Sequence, residues 1–332
     1  MFEYVASGLS HTRVTLDRCS TDLDVQIIIQ DLVSSIQDHY NHKFSVLYNA
    51  YAESNFPIHF SRVFGNKVHT IHSDSGGLQV ITQGKQFTPE LKKQVYDNQA
   101  INSDIAMSFD EIPVKTISSN SAKVTAKNTK IFDPSLFEHC ARKSGQNLKE
   151  QVNLFWAKGD TRRAKILPII QGNSIDNYKL WHELLLESIE PEQYSILGGR
   201  SISTAALGMG IKEEIERIIA IESLGKEFNY CHLLGLGSIQ RFLPLLILKQ
   251  NGFLKHISLI SYDSTTHTAN GSLGNYFCSS GRHIDVGKYR SPLLTFVTED
   301  IFTNINNFNP GFFTRYNIDL TEDLIYYIIC CP

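Results

Sequence analysis

The feature that most constrains the fold is where the β-prone runs stop. Residues 68–71, 105–109, 165–170, 194–197, 231–234 and 257–262 read as short strands. They lead into Asp74, Asp110, Gln171, Gly198-Gly199, Gly235 and Asp263 in turn. Helix-period stretches lie between and around them, at 88–100, 135–159, 178–189, 211–221 and 238–250. Thr88 followed by Pro89 is a helix start, with the threonine as N-cap and the proline in the first turn. Strands alternating with helices call for a parallel sheet. Two more β-prone runs, at 1–5 and 44–48, and a helical stripe carrying Ile28, Leu32, Val33 and Ile36 precede the series. The expected fold is α/β, a TIM-like (β/α)8 barrel with insertions. In such a barrel the carboxyl ends of the strands share one face, and that face carries the active site.

The 332 residues, 42% hydrophobic and 20% charged, suit one large globular domain, or one with a small appendage. The expected division is a barrel over residues 1–290 and a C-terminal extension over 291–332. Residues 54–64 read as irregular. The polar stretch 114–130 reads as a mobile loop or insertion. The apolar run at 242–248 is far too short to span a membrane. A net charge of -3 excludes a global basic field, so any nucleic-acid surface has to be local. Cysteines 19, 140, 231 and 278 are scattered, Cys330 and Cys331 are adjacent, and no secretory signal precedes them. That pattern predicts a reduced, cytoplasmic protein without a membrane partner.

The stretch Ile71-His72-Ser73-Asp74-Ser75-Gly76-Gly77-Leu78-Gln79 places a carboxylate at a strand mouth. The glycines after it let a flat ligand lie against the main chain. Ser73-Asp74-Ser75-Gly76-Gly77-Leu78-Gln79 resembles the acid-Ser-Gly-Gly-Phe-Gln signature of the tRNA-guanine transglycosylases. Further blocks follow in the family's order. Thr88-Pro89-Glu90 and the run 102–111, ending Ser108-Phe109-Asp110-Glu111, are similar to its next block. Pro168-Ile169-Ile170-Gln171-Gly172 is similar to its Val-Gln-Gly strand. Leu197-Gly198-Gly199 and Leu234-Gly235-Leu236-Gly237 match its glycine blocks. Ser261-Tyr262-Asp263 with Asn270-Gly271 sits where it carries its nucleophile. The resemblance spans roughly residues 68–271.

The resemblance implies exchange of a guanine in a polynucleotide for a 7-deazaguanine. It implies Asp263 as the nucleophile at the sugar C1′ and Asp74 as the general acid/base. Asp110 would read the N–H edge of the base and Gln171 its carbonyl. The backbone at Gly198 and Gly199 would complete the pocket, with Leu234 as an apolar wall and Ser75 and Gln79 supporting Asp74. The chemistry suits these residue types. Glycosyl transfer passes through an oxocarbenium-like transition state, which one carboxylate can trap covalently. A second carboxylate must handle protons on the purine, and a third supplies acceptors that match guanine and not adenine. No Rossmann fingerprint or P-loop is present.

Two departures bear on the polymer. Asp263 is followed by Ser264-Thr265-Thr266-His267-Thr268-Ala269-Asn270-Gly271, without the arginines of the tRNA enzymes. Nothing between Gly271 and Asp323 has the C-x-C-x-x-C spacing of their zinc site, and Cys330-Cys331 alone makes no closed site. The expectation is therefore no metal and no cofactor, with zinc possible only if the chain continues past Pro332. These departures are similar to the branch that modifies DNA in phages and bacterial modification islands. A phage-encoded member would work in the host cytoplasm. The partners implied are DNA and a free 7-deazaguanine base such as preQ0. Candidate phosphate contacts are His267, Arg282, His283, Lys288 and Arg290, together with the lysines of 115–130. The same exchange on tRNA, a non-catalytic accessory subunit and an unrelated barrel glycosidase or lyase are the alternatives.

Overall fold

The computed structural model describes residues 1–7, 23–41, 44–52, 56–64, 68–77, 87–118, 128–204, 210–237, 239–264, 275–277, 283–285 and 292–319. Strands β1 (Phe2–Ser7), β2 (Phe44–Asn49), β3 (Val68–Asp74), β4 (Ile105–Met107), β7 (Lys165–Leu167), β8 (Ile169–Gly172), β9 (Arg200–Thr204), β10 (Tyr230–Leu233) and β11 (Leu259–Ser264) form one sheet. Its order is β7-β4-β3-β2-β1-β11-β10-β9-β8. The described registers, β3 with β4, β4 with β7, β8 with β9, β9 with β10 and β10 with β11, are all parallel.

The two edges of this sheet, β7 and β8, are separated by Pro168 alone. Proline has no N–H to give a ladder, so a strand is interrupted there. The carbonyls on either side still pair: Leu167 accepts from Ser108 N at 3.0 Å, and Pro168 from Ser201 N at 2.9 Å. Ile166 also bridges to Leu197 in parallel. The sheet is thus nearly closed and barrel-like.

Helices α1 (Leu23–Tyr40), α2 (Phe56–Phe64), α3 (Pro89–Asn102), α4 (Phe137–Lys158), α5 (Ile175–Leu186), α6 (Ile211–Ser223), α7 (Ile239–Gln250), α8 (Pro292–Phe308) and α9 (Phe312–Arg315) complete the described elements, apart from short 3-10 turns and two hairpins. Helix α3 starts as its sequence predicts, with Thr88 Oγ1 accepting from Leu91 N at 3.3 Å. Helix α4 buries Phe137, Cys140, Ala141, Ser144, Leu148, Val152 and Phe155, a stripe at three- and four-residue spacing. Strands β8 and β10 are buried at every position. A parallel sheet covered by helices has this pattern.

Chain packing divides into two compact units. The first comprises residues 1–5, 49–54 and 71–263; the second comprises 6–48, 55–70 and 264–332. In the second, Asp31 of α1 accepts from Arg315 Nη1 at 2.6 Å, Tyr316 Oη at 2.9 Å and Asn309 Nδ2 at 3.2 Å. No helix among the described residues is long and apolar enough to cross a membrane.

Three sequence expectations need correction. The segment read as irregular, 54–64, contains α2, which buries Phe60 and Val63 on one face. The polar stretch 114–130 contains most of an antiparallel hairpin, β5 (Val114–Ser118) with β6 (Asn128–Phe132). The strand expected at 194–197 is a 3-10 turn spanning Pro191–Ile196, and the strand begins after the glycines, at Arg200.

Candidate active site

Two carboxylates stand at the carboxyl ends of the adjacent strands β3 and β4. Asp74 ends β3 and is partly exposed; Asp110 follows β4 and is buried. Helix α3 holds both strands from outside. Gln99 Nε2 donates to Ser73 O at 3.3 Å and to Met107 O at 3.0 Å, and Gln151 Nε2 donates to Gln99 Oε1 at 2.8 Å. Ser73 and Ser103 share a hydrogen bond of 2.9 Å. Ser75 Oγ reaches Ser108 O at 3.3 Å, joining the turns that follow the two strands.

Asp110 accepts from Gln171 Nε2, on β8. A carboxylate can only accept, so Gln171 must present its amide nitrogen there. That leaves Gln171 Oε1 buried with no partner. The backbone at Gly77 passes directly over Asp110. A Cβ at Gly77 would sit 2.9 Å from Asp110 Oδ1 and 3.0 Å from its carbonyl oxygen, so only glycine fits. Burial pushes the Asp110 carboxyl up to about 7, and the charge of Asp74 adds to the shift against the Gln171 hydrogen bond.

The third carboxylate, Asp263, is near the end of β11. Its Oδ1 accepts from Gly235 N at 2.9 Å and lies 3.3 Å from His232 Nε2. His232 Nδ1 is 2.7 Å from Ser261 Oγ, which is 2.6 Å from Tyr230 Oη. Side chains on a strand alternate, so Tyr230 and His232 share one face of β10, and Ser261 and Asp263 share the matching face of β11. The His232 ring lies 5.5 Å from the His72 ring. His72 is two residues before Asp74 and therefore on its face of β3. Asp74 and Asp263 thus stand beyond a pair of neighbouring interior histidines. Asp263 also adds to the burial that pushes the Tyr4 phenol up to about 12.

No protein-family model matches the sequence, and no curated protein matches it. The reading of the site therefore rests on its geometry and on the sequence blocks.

The expected residues fall into three groups. Asp74, Ser75, Asp110 and Gln171 gather at the ends of β3, β4 and β8, and Leu234 adjoins the Gly235 amide that holds Asp263. Gly198 and Gly199 do not join them. They precede β9, at the amino end of a sheet whose carboxyl end carries the aspartates. A Cβ at Gly198 would meet Lys165 Cβ at 2.8 Å, and one at Gly199 would meet Tyr230 O at 2.5 Å. Their smallness lets this crossing pass the first residues of β7 and β10. Residues level with Gln171 and Gly172 are Ser203 and Thr204. Gln79, His267, Arg282, Lys288 and Arg290 lie outside the described residues; so does the side chain of His283.

The contacts of Asp263 with His232 and the Gly235 amide, and of His232 with Ser261, are what the sequence reading missed. For His232 and Ser261 the signal is parity: His232 stands two residues after Tyr230 and Ser261 two before Asp263, so each pair shares one face of its strand. A cleft of about 310 Å3 lined by Phe87, Lys92, Phe109, Glu111, Lys143 and Glu150 contains none of the expected site residues. Among the described residues no group of His, Cys, Asp and Glu is placed to hold a metal ion.

Proposed function

We propose that the chain is a guanine transglycosylase that replaces a guanine in DNA by a 7-deazaguanine base of the preQ0 type. On this reading the nearly closed sheet is a TIM-like (β/α)8 barrel, with β7 and β8 as one strand interrupted at Pro168. The observation that carries the proposal is the buried Asp110–Gln171 pair, with an unpartnered acceptor on Gln171, beside strand-end carboxylates in two other environments. A guanine edge presents N–H donors and a carbonyl together. Asp110 and Gln171 Oε1 supply acceptors for the first, and the second hydrogen on Gln171 Nε2 supplies a donor for the carbonyl. Adenine matches this set poorly, and an unmatched buried polar group is costly.

In the proposed reaction Asp263 attacks C1′, the glycosidic bond breaks, and Asp74 protonates the departing guanine. The incoming base then yields its proton to Asp74, attacks C1′ and displaces Asp263. Held by a backbone N–H, Asp263 is fixed for attack, while the more exposed Asp74 can exchange protons.

Labelled guanine offered with a DNA duplex should be incorporated by the wild type. Asp263→Asn should abolish incorporation and any trapped protein–DNA adduct while leaving the fold intact by circular dichroism. Wild-type exchange by that variant would remove Asp263 as nucleophile.

A further inference from the structure

A buried ion pair on α6 reaches the main chain that follows β10. Glu214 and Arg217, on α6, both have 0% exposed side chains. Arg217 Nε and Nη2 hold the Glu214 carboxylate at 3.0–3.2 Å. The remaining nitrogen, Nη1, donates to Leu234 O at 2.9 Å and lies 3.4 Å from Ile202 O. Leu234 O and Gly235 N belong to one peptide group, and Gly235 N donates to Asp263 Oδ1 at 2.9 Å.

A peptide group is planar, so fixing its carbonyl fixes the aim of its N–H. A cation on the carbonyl oxygen also polarises the amide and strengthens its donor end. Gly235 takes φ +70°, which lets the chain turn away immediately after the clamped peptide. Stability alone is a weak reason for this arrangement. Apolar residues of similar volume often replace a buried ion pair without loss.

We infer that Arg217 is a positioning residue for Asp263, acting through the Leu234–Gly235 peptide. The kinetic consequence rests on the reading of Asp263 as nucleophile; the clamp itself does not. The full-length protein carrying Glu214→Gln with Arg217→Met loses both charges and keeps an unbranched stem at 217. In it the Gly235 amide proton should move upfield in the NMR spectrum, and its exchange with solvent should accelerate about tenfold or more. The kcat for base exchange should fall about tenfold and KM for the free base should change less, since Asp110 and Gln171, which hold the base in this reading, are untouched. Arg217→Lys, with a charge but no planar fork, should fall between the two. An unshifted Gly235 amide in the folded double variant would overturn the clamp. A shifted amide with unchanged kcat would overturn its role in positioning the nucleophile. If the wild type shows no base exchange, the transglycosylase reading fails, and the amide response still decides the clamp.

Discussion

At Asp110 burial and a neighbouring charge act in the same direction. The carboxyl is pushed up to about 7, whereas an aspartate in an unfolded chain titrates near ~3.9. Between those values the folded chain binds a proton that the unfolded chain does not. This group's contribution to stability is therefore greatest at low pH and is lost as pH rises from about 4 to about 7. Asp110→Asn removes the titration. The variant should be more stable than the wild type at pH 8, on the order of a few kcal/mol, and close to it at pH 4. Urea unfolding at the two pH values measures this; equal behaviour at both would mean that charge at Asp110 carries no burial cost. The carboxylate form is the one that accepts from a guanine edge. Base affinity in the wild type should accordingly rise as pH passes through about 7.

The strand ends carrying Asp74 and Asp110 depend on α3, whose inner face is partly polar. Gln99 there pairs with the carbonyls of Ser73 and Met107 and with Gln151. Gln99→Leu would orphan the buried Gln151 amide and loosen both strand ends, at about 1–3 kcal/mol per unsatisfied group. Gln99→Leu with Gln151→Leu removes both sides of one interaction and should recover part of that loss. A double-mutant cycle in urea tests the coupling, and strict additivity would show that the two glutamines act independently. These elements also show what a sequence can disclose. The strands ending at Asp74 and Asp110 were legible because apolar runs stop at acids, and α3 because Thr88 and Pro89 mark its start. Strand β9, Arg-Ser-Ile-Ser-Thr, was not, because its only large apolar residue is Ile202. Its Arg200 is buried by donating to Leu224 O at 2.9 Å and Gly225 O at 3.0 Å, and by stacking on Phe228, partners that sequence periodicity cannot indicate. The apolar run 194–197 took its place in the reading, and with it the pocket role given to Gly198 and Gly199. The family resemblance implied Asp110 and Gln171 as neighbours on one base, whereas their direct hydrogen bond and the hold of His232 and Gly235 on Asp263 need the fold.

For the whole molecule the open choice is the polymer. In the proposed reaction the pocket groups address a base and C1′, and none is assigned to the sugar 2′ position that separates RNA from DNA. Discrimination must then come from the surface around the pocket. The chain carries 31 Lys and Arg against 34 Asp and Glu, so under the proposed reading that surface has to be a local patch rather than a global field. Of the lysines considered for it, Lys115 is engaged with Asp133 at 3.2 Å, and Arg282, Lys288 and Arg290 remain candidates by charge. The segment after Asp263 lacks the arginines of the tRNA enzymes, which favours DNA. A duplex guanine has to leave the stack to reach the buried Asp110, so a mismatched or unpaired guanine should react faster than a paired one. Labelled guanine supplied with DNA or with tRNA, at low and moderate salt, tests the choice. Exchange should occur in DNA and not in tRNA. Affinity should fall with salt, log K dropping by about 0.9 per phosphate contact for each tenfold increase. Arg282→Ala or Arg290→Ala should reduce that slope while leaving the pH dependence set by Asp110 unchanged. Exchange into tRNA with none into DNA would overturn the choice of polymer and leave the three aspartates with the roles proposed for them.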